Sequence, residues 1–352
     1  MSDKILKLYQ PEEENKREKA KALLDKLTNE GQIPPSLQKQ LKKLYEIFED
    51  EYFDEMVEND SEFEKATDIM MEELEEILLE SGFSDEFEDI FDDEGDFFAY
   101  VTLSKRIQNR ESFFHKVADE LKKEWNIEVD FNDEYNKDRE KDELFVTDNG
   151  NTILIKTETD VIPKNILEFG KTINYMLTEE ERAKEEPYRS TLLIMTEETK
   201  AESLVELAEL FVKVVCSCAV QKNATGVLQN DVYYTKSQYI SNAQMIKEGK
   251  LPIGNLVWAT VIPPDDDTER ISAFTTGLAA FGREEIEILR SKKPPVDIVE
   301  FLLSTAYYLI MEDEYFQDGE TLEGADGMDF NITISDGEFV GEETVKINYF
   351  TD

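Results

Sequence analysis

Two hydrophobic periods organise the chain. Between residues 11 and 82 apolar side chains recur every three to four positions, and from residue 97 onward such stretches alternate with runs of period two. The first stripe, Ala20, Leu23, Leu24 and Leu27, follows Pro11 and three glutamates, as a helix start should, and stops before Gly31. A second helix opens at Pro35 and Ser36 and carries Leu37, Leu41, Leu44, Phe48, Tyr52 and Met56 on one face. A third presents Phe63, Ala66, Met70, Leu74, Ile77 and Leu78, with Gly82 as its C-terminal cap. Residues 83–96 alternate aromatics with acids and read as a linker or short helix.

Beyond residue 96 the pattern predicts strands at 97–103, 127–131, 190–198 and 224–229, and helices at 109–125, 163–177, 200–221, 236–248 and 295–312, with a charged loop at 132–142. The runs ELFVT and NTILIKTE flank Asn149-Gly150, which supplies the positive φ of a tight hairpin turn. The most patterned stretch is 251–292. It holds a buried strand, 256–262, a turn at Pro263-Pro264-Asp265-Asp266-Asp267, and a returning strand, 270–276. A glycine-punctuated segment, 276–282, then leads to the alternating Glu285-Ile286-Glu287-Ile288. A closing hairpin is expected to turn on Asp336-Gly337. Strands interleaved with helices and joined by tight hairpins specify an α+β fold with mixed or antiparallel sheets. The order admits two split βαβ-like units, 97–198 and 224–350. The domain organisation is an acidic helical segment, 1–96, followed by an α+β domain, 97–352, divisible near 199–224.

Composition narrows the function classes. A length of 352 residues allows roughly two or three domains. No run of about 18 apolar residues exists, and the first fifteen residues lack the apolar core of a signal peptide, so the expected location is the cytoplasm. Cys216 and Cys218 read as small buried residues on an apolar helix, since adjacent-but-one cysteines make a poor disulfide pair. His115 is the one histidine and reads as a helix-surface residue; sites needing two imidazoles are excluded. No phosphate-binding glycine motif and no basic patch with interleaved aromatics is present, so direct nucleic-acid binding is not expected. No cofactor and no metal are expected.

The net charge is −43. Residues 46–96 alone hold twenty-four acids against one base, Lys65. Acids at Glu49, Asp50, Glu51, Asp54, Glu55, Glu72, Glu73, Glu76, Asp85, Glu88, Asp89, Asp92 and Asp93, interleaved with Phe48, Tyr52, Phe53, Phe63, Phe83, Phe87 and Phe91, suit a basic partner and would steer its approach. The expectation is therefore a non-enzymatic interaction protein, such as an immunity protein, an inhibitor of a cationic toxin or a nucleic-acid mimic. Two alternatives stand beside it. One is a carboxylate- or metal-dependent enzyme using Glu285, Glu287 and the acids of 318–329. The other is an oligomerisation module built on the N-terminal helices. Glu285 and Glu287 share a strand face with Arg283, and a solvated face is the expected state. The 318–329 loop fails the EF-hand spacing, because Glu323 and Asp329 stand where Gly and Glu are required.

Three segments carry a resemblance: Leu251-Pro252 with Leu256 and Trp258; Thr275, Gly277, Leu278, Phe281, Gly282, Glu285, Ile286, Glu287 and Ile288; and Asp318, Gly319 and Thr321. In combination they resemble a bacterial domain-of-unknown-function family, number 4261, over about residues 97–350. The resemblance implies no activity and no catalytic residues. It implies a setting among bacterial accessory or toxin–immunity systems.

Overall fold

The Asn149-Gly150 turn forms as its sequence requires, with φ of 50° and 83°, and pairs β2 (Glu143–Asp148) with β3 (Asn151–Glu158). This computed structural model describes residues 95–349 apart from 138, 159–161, 185–187, 198–202, 265–269, 325–326 and 342. The helices expected at 11–82, the acids at 49–93 and the Asp265–Asp267 turn lie outside the described residues.

The hairpin belongs to a six-stranded sheet with β1 (Phe98–Leu103), β4 (Ser190–Thr196), β5 (Ala224–Gln229) and β6 (Val232–Thr235), in the order β2-β3-β4-β1-β5-β6. Each of its ladders is antiparallel. Helix α1 (Arg110–Trp125) starts at the side-chain cap Asn109 and stops where Asn126 turns left-handed. Between them come α2 (Lys164–Ile173) and α3 (Glu179–Ala183), then α4 (Leu204–Ala219). Helix α4 packs on β1, β3, β4 and β5 on one side and on α1 on another. This explains why nearly its whole circumference is apolar. Cys216 and Cys218 are buried and free within it, as expected. Burial pushes the Cys216 thiol up to about 12. His115 is exposed on α1, 3.4 Å from Glu111.

Helices α5 (Lys236–Ala243) and α6 (Ile253–Leu256) lead into the second sheet. It contains β7 (Trp258–Ile262), β8 (Ile271–Thr276), β9 (Ile286–Ser291), β10 (Thr321–Glu323), β11 (Asp329–Asp336) and β12 (Glu343–Ile347). Its order is β10-β11-β12-β9-β8-β7, and only β9–β12 is parallel. Helix α7 (Pro295–Met311) lies on the path from β9 to β12 and packs on β7 and β8. The fold is thus α+β with mixed and antiparallel sheets, as the pattern predicts. The first sheet holds a split βαβ path, β4–α4–β5, whose two strands run parallel with β1 between them, and β9 and β12 of the second sheet form an adjacent parallel pair with α7 on the path between them. One hydrophobic core runs through both sheets. None of the described helices is long and apolar enough to cross a membrane.

The departures from the expected elements have identifiable causes. Residues 127–131 are not a strand. Asp130 turns the chain by accepting from the amide of Asn132 (2.9 Å), and Asn136 binds the Asp130 carbonyl (3.2 Å) and both backbone groups of Phe145 (2.8 and 2.9 Å). Helix α2 stops at Ile173 instead of 177 because Asn174 turns out to bind the Tyr233 carbonyl at 2.8 Å. The Asn230-Asp231 hairpin turn, with both φ positive, creates β6, which periodicity alone missed. Thr321–Glu323 is a strand, not loop. The last hairpin closes through 337–342 and not by a tight Asp336-Gly337 turn.

Candidate functional site

The segment from Thr275 to Ile288 lies where β8 gives way to β9. Gly277 takes φ +107°, a backbone state that favours glycine. A Cβ there would lie 2.2 Å from the Leu256 carbonyl oxygen. A 3-10 turn, Ala279–Phe281, follows, and Gly282 at φ 62° ends it. This path turns three successive amides toward one point. The Glu285 carboxylate fills it: its Oε1 accepts from the amides of Gly277 (2.7 Å), Leu278 (2.8 Å) and Ala279 (3.4 Å). Its Oε2 accepts from the Thr275 hydroxyl at 2.6 Å, and Thr275 Oγ1 in turn accepts from the Ile286 amide at 2.8 Å. The arrangement is an anion nest whose anion is part of the chain. Burial pushes the Glu285 carboxyl above its ordinary value, while the Thr275 hydroxyl and the three amides pull it back.

Two residues on, Glu287 is fully buried. It accepts from the amides of Glu338 (3.0 Å), Phe339 (2.7 Å) and Val340 (3.3 Å), and Lys346 Nζ lies 3.7 Å away. Phe339 is then stacked on Phe274 with ring centroids 5.7 Å apart. Two residues before Glu285, Arg283 donates to the carbonyls of Phe281 (2.9 Å), Gly282 (3.1 Å) and Glu314 (3.0 Å). It also meets the Asp313 carboxylate at 2.5 Å and stacks 3.5 Å over Tyr315. A cation at the C-terminal end of α7 is favoured by the helix dipole.

The expectation of a solvated face at 283, 285 and 287 is therefore corrected. The three charges are buried, and each binds the backbone of a different segment. Loops from both directions cover this face of β9, so alternation does not expose it. The acids also do not converge with 318–329. Asp318 accepts from the Ile334 amide at 3.0 Å, and Glu320 from the Gln317 amide at 2.8 Å. No group of three metal-capable side chains occurs among the described residues. Asp318, Gly319 (φ 82°) and Thr321 fasten β10 beside β11. Leu278 and Phe281 are core residues, and Phe281 meets Phe97 edge-on at 5.1 Å.

Trp258 marks the seam between the sheets. Tyr175 stacks on it at 4.6 Å and Tyr234 meets it edge-on at 5.7 Å. Asn230 Nδ2 donates to the Leu256 carbonyl at 2.6 Å beside Gly277. Trp258 Nε1, the Tyr234 hydroxyl and the Thr276 hydroxyl find no hydrogen-bond partner among the described residues.

Sequence reasoning passed over one surface feature. Tyr308, Met311 and Tyr315 are 45%, 39% and 54% exposed, and Glu312, Asp313 and Glu314 between them are exposed too. Their i, i+3, i+7 spacing, off the buried stripe of α7, was the available signal.

No curated protein and no solved structure matches the chain. Residues 274–348, which hold the Glu285 and Glu287 nests and the Asp318-Gly319 turn but not Trp258, match the family model DUF4261, a domain of unknown function.

Proposed function

We propose that this protein is a non-enzymatic cytoplasmic interaction protein that holds a basic partner, in the manner of an immunity protein or an inhibitor of a cationic toxin. The observation that carries this reading is the exposed strip at the C-terminal end of α7, where Tyr308, Met311 and Tyr315 stand with Glu312, Asp313 and Glu314. Aromatic side chains supply contact area and faces that attract Lys and Arg, while surrounding acids steer a cationic surface toward them. Tyr315 already holds one guanidinium, that of Arg283. The acids of 46–96 extend the same sign of charge along the chain. The charged residues of the family motif support the reading differently: their hydrogen bonds hold the fold, so the motif is a scaffold for the surface.

The test is affinity capture from native cytosol by the full-length protein at about 50 mM salt, with elution at about 500 mM. The retained basic protein is then titrated in solution. Three chains are compared: the parent, a Tyr308→Ala/Tyr315→Ala variant, and one in which Glu49, Asp50, Glu51, Asp54, Glu55, Glu72, Glu73, Glu76, Asp85, Glu88, Asp89, Asp92 and Asp93 are neutralised as Gln or Asn. We expect each variant to bind about tenfold or more weakly, and the neutralised one to lose most of its salt dependence. Retention of no basic protein, or binding indifferent to salt and to both variants, overturns the reading.

A further inference from the structure

We infer that the seam under Tyr175 is a binding site for a neutral, planar ring bearing hydrogen-bond acceptors, with Tyr175 as the cover that such a ring displaces. Five buried side-chain polar atoms lack a hydrogen-bond partner among the described residues, and three of them are Trp258 Nε1 and the hydroxyls of Tyr234 and Thr276. These three share one neighbourhood. Thr276 stands directly opposite Trp258 on the adjoining strand, so the two side chains lie on one face of the sheet. The Tyr234 ring meets the indole edge-on at 5.7 Å.

The packing around them is not short of partners. The Tyr239 hydroxyl donates to Gln229 at 2.8 Å. Asn255 accepts from Asn242 at 2.9 Å and donates to the Tyr239 carbonyl at 3.2 Å, and Asn230 donates to the Leu256 carbonyl at 2.6 Å. The unmet groups are therefore particular to the surroundings of the indole, and a buried donor without an acceptor is costly. An indole N–H donates and cannot accept, whereas a hydroxyl does both. What completes the set must therefore carry an acceptor. Trp258, Tyr234, Thr276 and Tyr175 hold no charge, so an ionic ligand would lose its water without replacement.

Tyr175 shows where the ring would lie. It stacks on the indole with centroids 4.6 Å apart and planes 26° apart, so the indole face accepts an aromatic ring. Trp258 is 1% exposed and Tyr175 39%, which makes Tyr175 the outer member of the stack. The chain is fixed on either side of it. Asn174 donates to the Tyr233 carbonyl (2.8 Å) and to Gln238 (3.0 Å) and accepts from the Met176 amide (3.0 Å), and Leu177 is buried. Between these anchors Tyr175 and Met176 are exposed. Burial pushes the Tyr175 hydroxyl up to about 12, yet it makes no hydrogen bond to a described residue. A ring held by stacking can turn about its side-chain bonds while both anchors stay in place.

The chain has two tryptophans, so the full-length protein with 15N-labelled indoles gives two N–H signals, and Trp125→Phe identifies that of Trp258. Titration with benzamide should move the Trp258 signal downfield, saturably and with a dissociation constant on the order of 1 mM, and leave that of Trp125 in place. Cyclohexanecarboxamide, the same amide on a puckered ring, should bind about tenfold or more weakly. Tyr175→Ala should bind benzamide about tenfold more tightly, because no ring has to leave first. Thr276→Val should bind it about threefold or more weakly, with an unfolding midpoint no lower than the parent's, since the hydroxyl it removes has no partner to lose. An unmoved Trp258 signal in the parent overturns the site, and binding confined to Tyr175→Ala does so equally, as that of an engineered hole. Equal binding of the two amides overturns the planar assignment. An affinity unchanged by Tyr175→Ala overturns the cover, and one unchanged by Thr276→Val overturns the hydrogen-bonding assignment.

Discussion

The two sheets bury different chemistry. The described buried polar residues of the first sheet and its helices are hydroxyls and amides, among them Thr102, Thr191, Asn174 and Gln229, and none carries a charge. The second sheet buries Arg283, Glu285 and Glu287 within five residues. Strands of the first sheet are held by neighbours in the ladder and by α4, a redundant arrangement in which many contacts share the work. The region around β9 is held by single ions, each satisfying several backbone groups at once. Redundant apolar packing should degrade gradually under mutation, and a charged pin should fail as a unit.

The strongest way to break this contrast is Glu285→Ala. It strands three amides and a hydroxyl in a buried nest, and should cost about 3–4 kcal/mol in urea unfolding, against about 1 kcal/mol for Ile155→Val in the first sheet. Equal losses would erase the distinction. Next comes Gly277→Ala, expected to cost about 2–3 kcal/mol because both φ and the Leu256 carbonyl oppose a side chain. Gly150→Ala, with φ +83° but open space around it, should cost about 1 kcal/mol. Glu287→Gln should act more locally. Hydrogen exchange at Glu338, Phe339 and Val340 should accelerate about tenfold or more, while amides of β1 and β4 keep their protection; uniform acceleration would show that the loop is not a separate unit.

The smallest effect sharpens the seam between the sheets. Burial pushes the Asp231 carboxyl from 3.8 to about 6. The protonated form is favoured in the fold, so its contribution is fully present below the ordinary carboxylate value and is lost as pH rises through about 6. Asp231→Asn should therefore raise the unfolding midpoint at pH 7.5 by more than at pH 4. The same gain at both pH values would assign it to the left-handed backbone at φ 60° alone.

Much of the fold was legible because local rules agreed with one another. The Asn149-Gly150 hairpin, the cap of α1 at Asn109 and the all-round apolar surface of α4 follow from residues close in sequence. Two misses were local, the Asp130 turn and the Asn230-Asp231 turn; the others fall where a distant group decided. Helix α2 stops because Asn174 reaches Tyr233, 59 residues away. The 337–342 connection is long because its amides close around Glu287, 51 to 53 residues earlier. The exposed Tyr308 and Tyr315 at the end of α7 were not legible because an aromatic side chain suits a core and a surface equally, and only the packed neighbours decide which.

The sequence by itself determined most of the described strands and helices, with 127–131, β6 and β10 as exceptions, because side-chain period and turn chemistry are local properties. It also placed Glu285 and Glu287 in alternation with Ile286 and Ile288, although only Glu287 of the three charged residues lies within β9, and Arg283 and Glu285 precede it. Only the tertiary structure decided that this polar face is an interior one. Whether a carboxylate on a strand is solvated or buried depends on what covers it. Here the cover comes from the 277–279 turn, the 338–340 loop and the end of α7. The ions stay there because backbone amides and carbonyls that the fold brings together replace the water they lose.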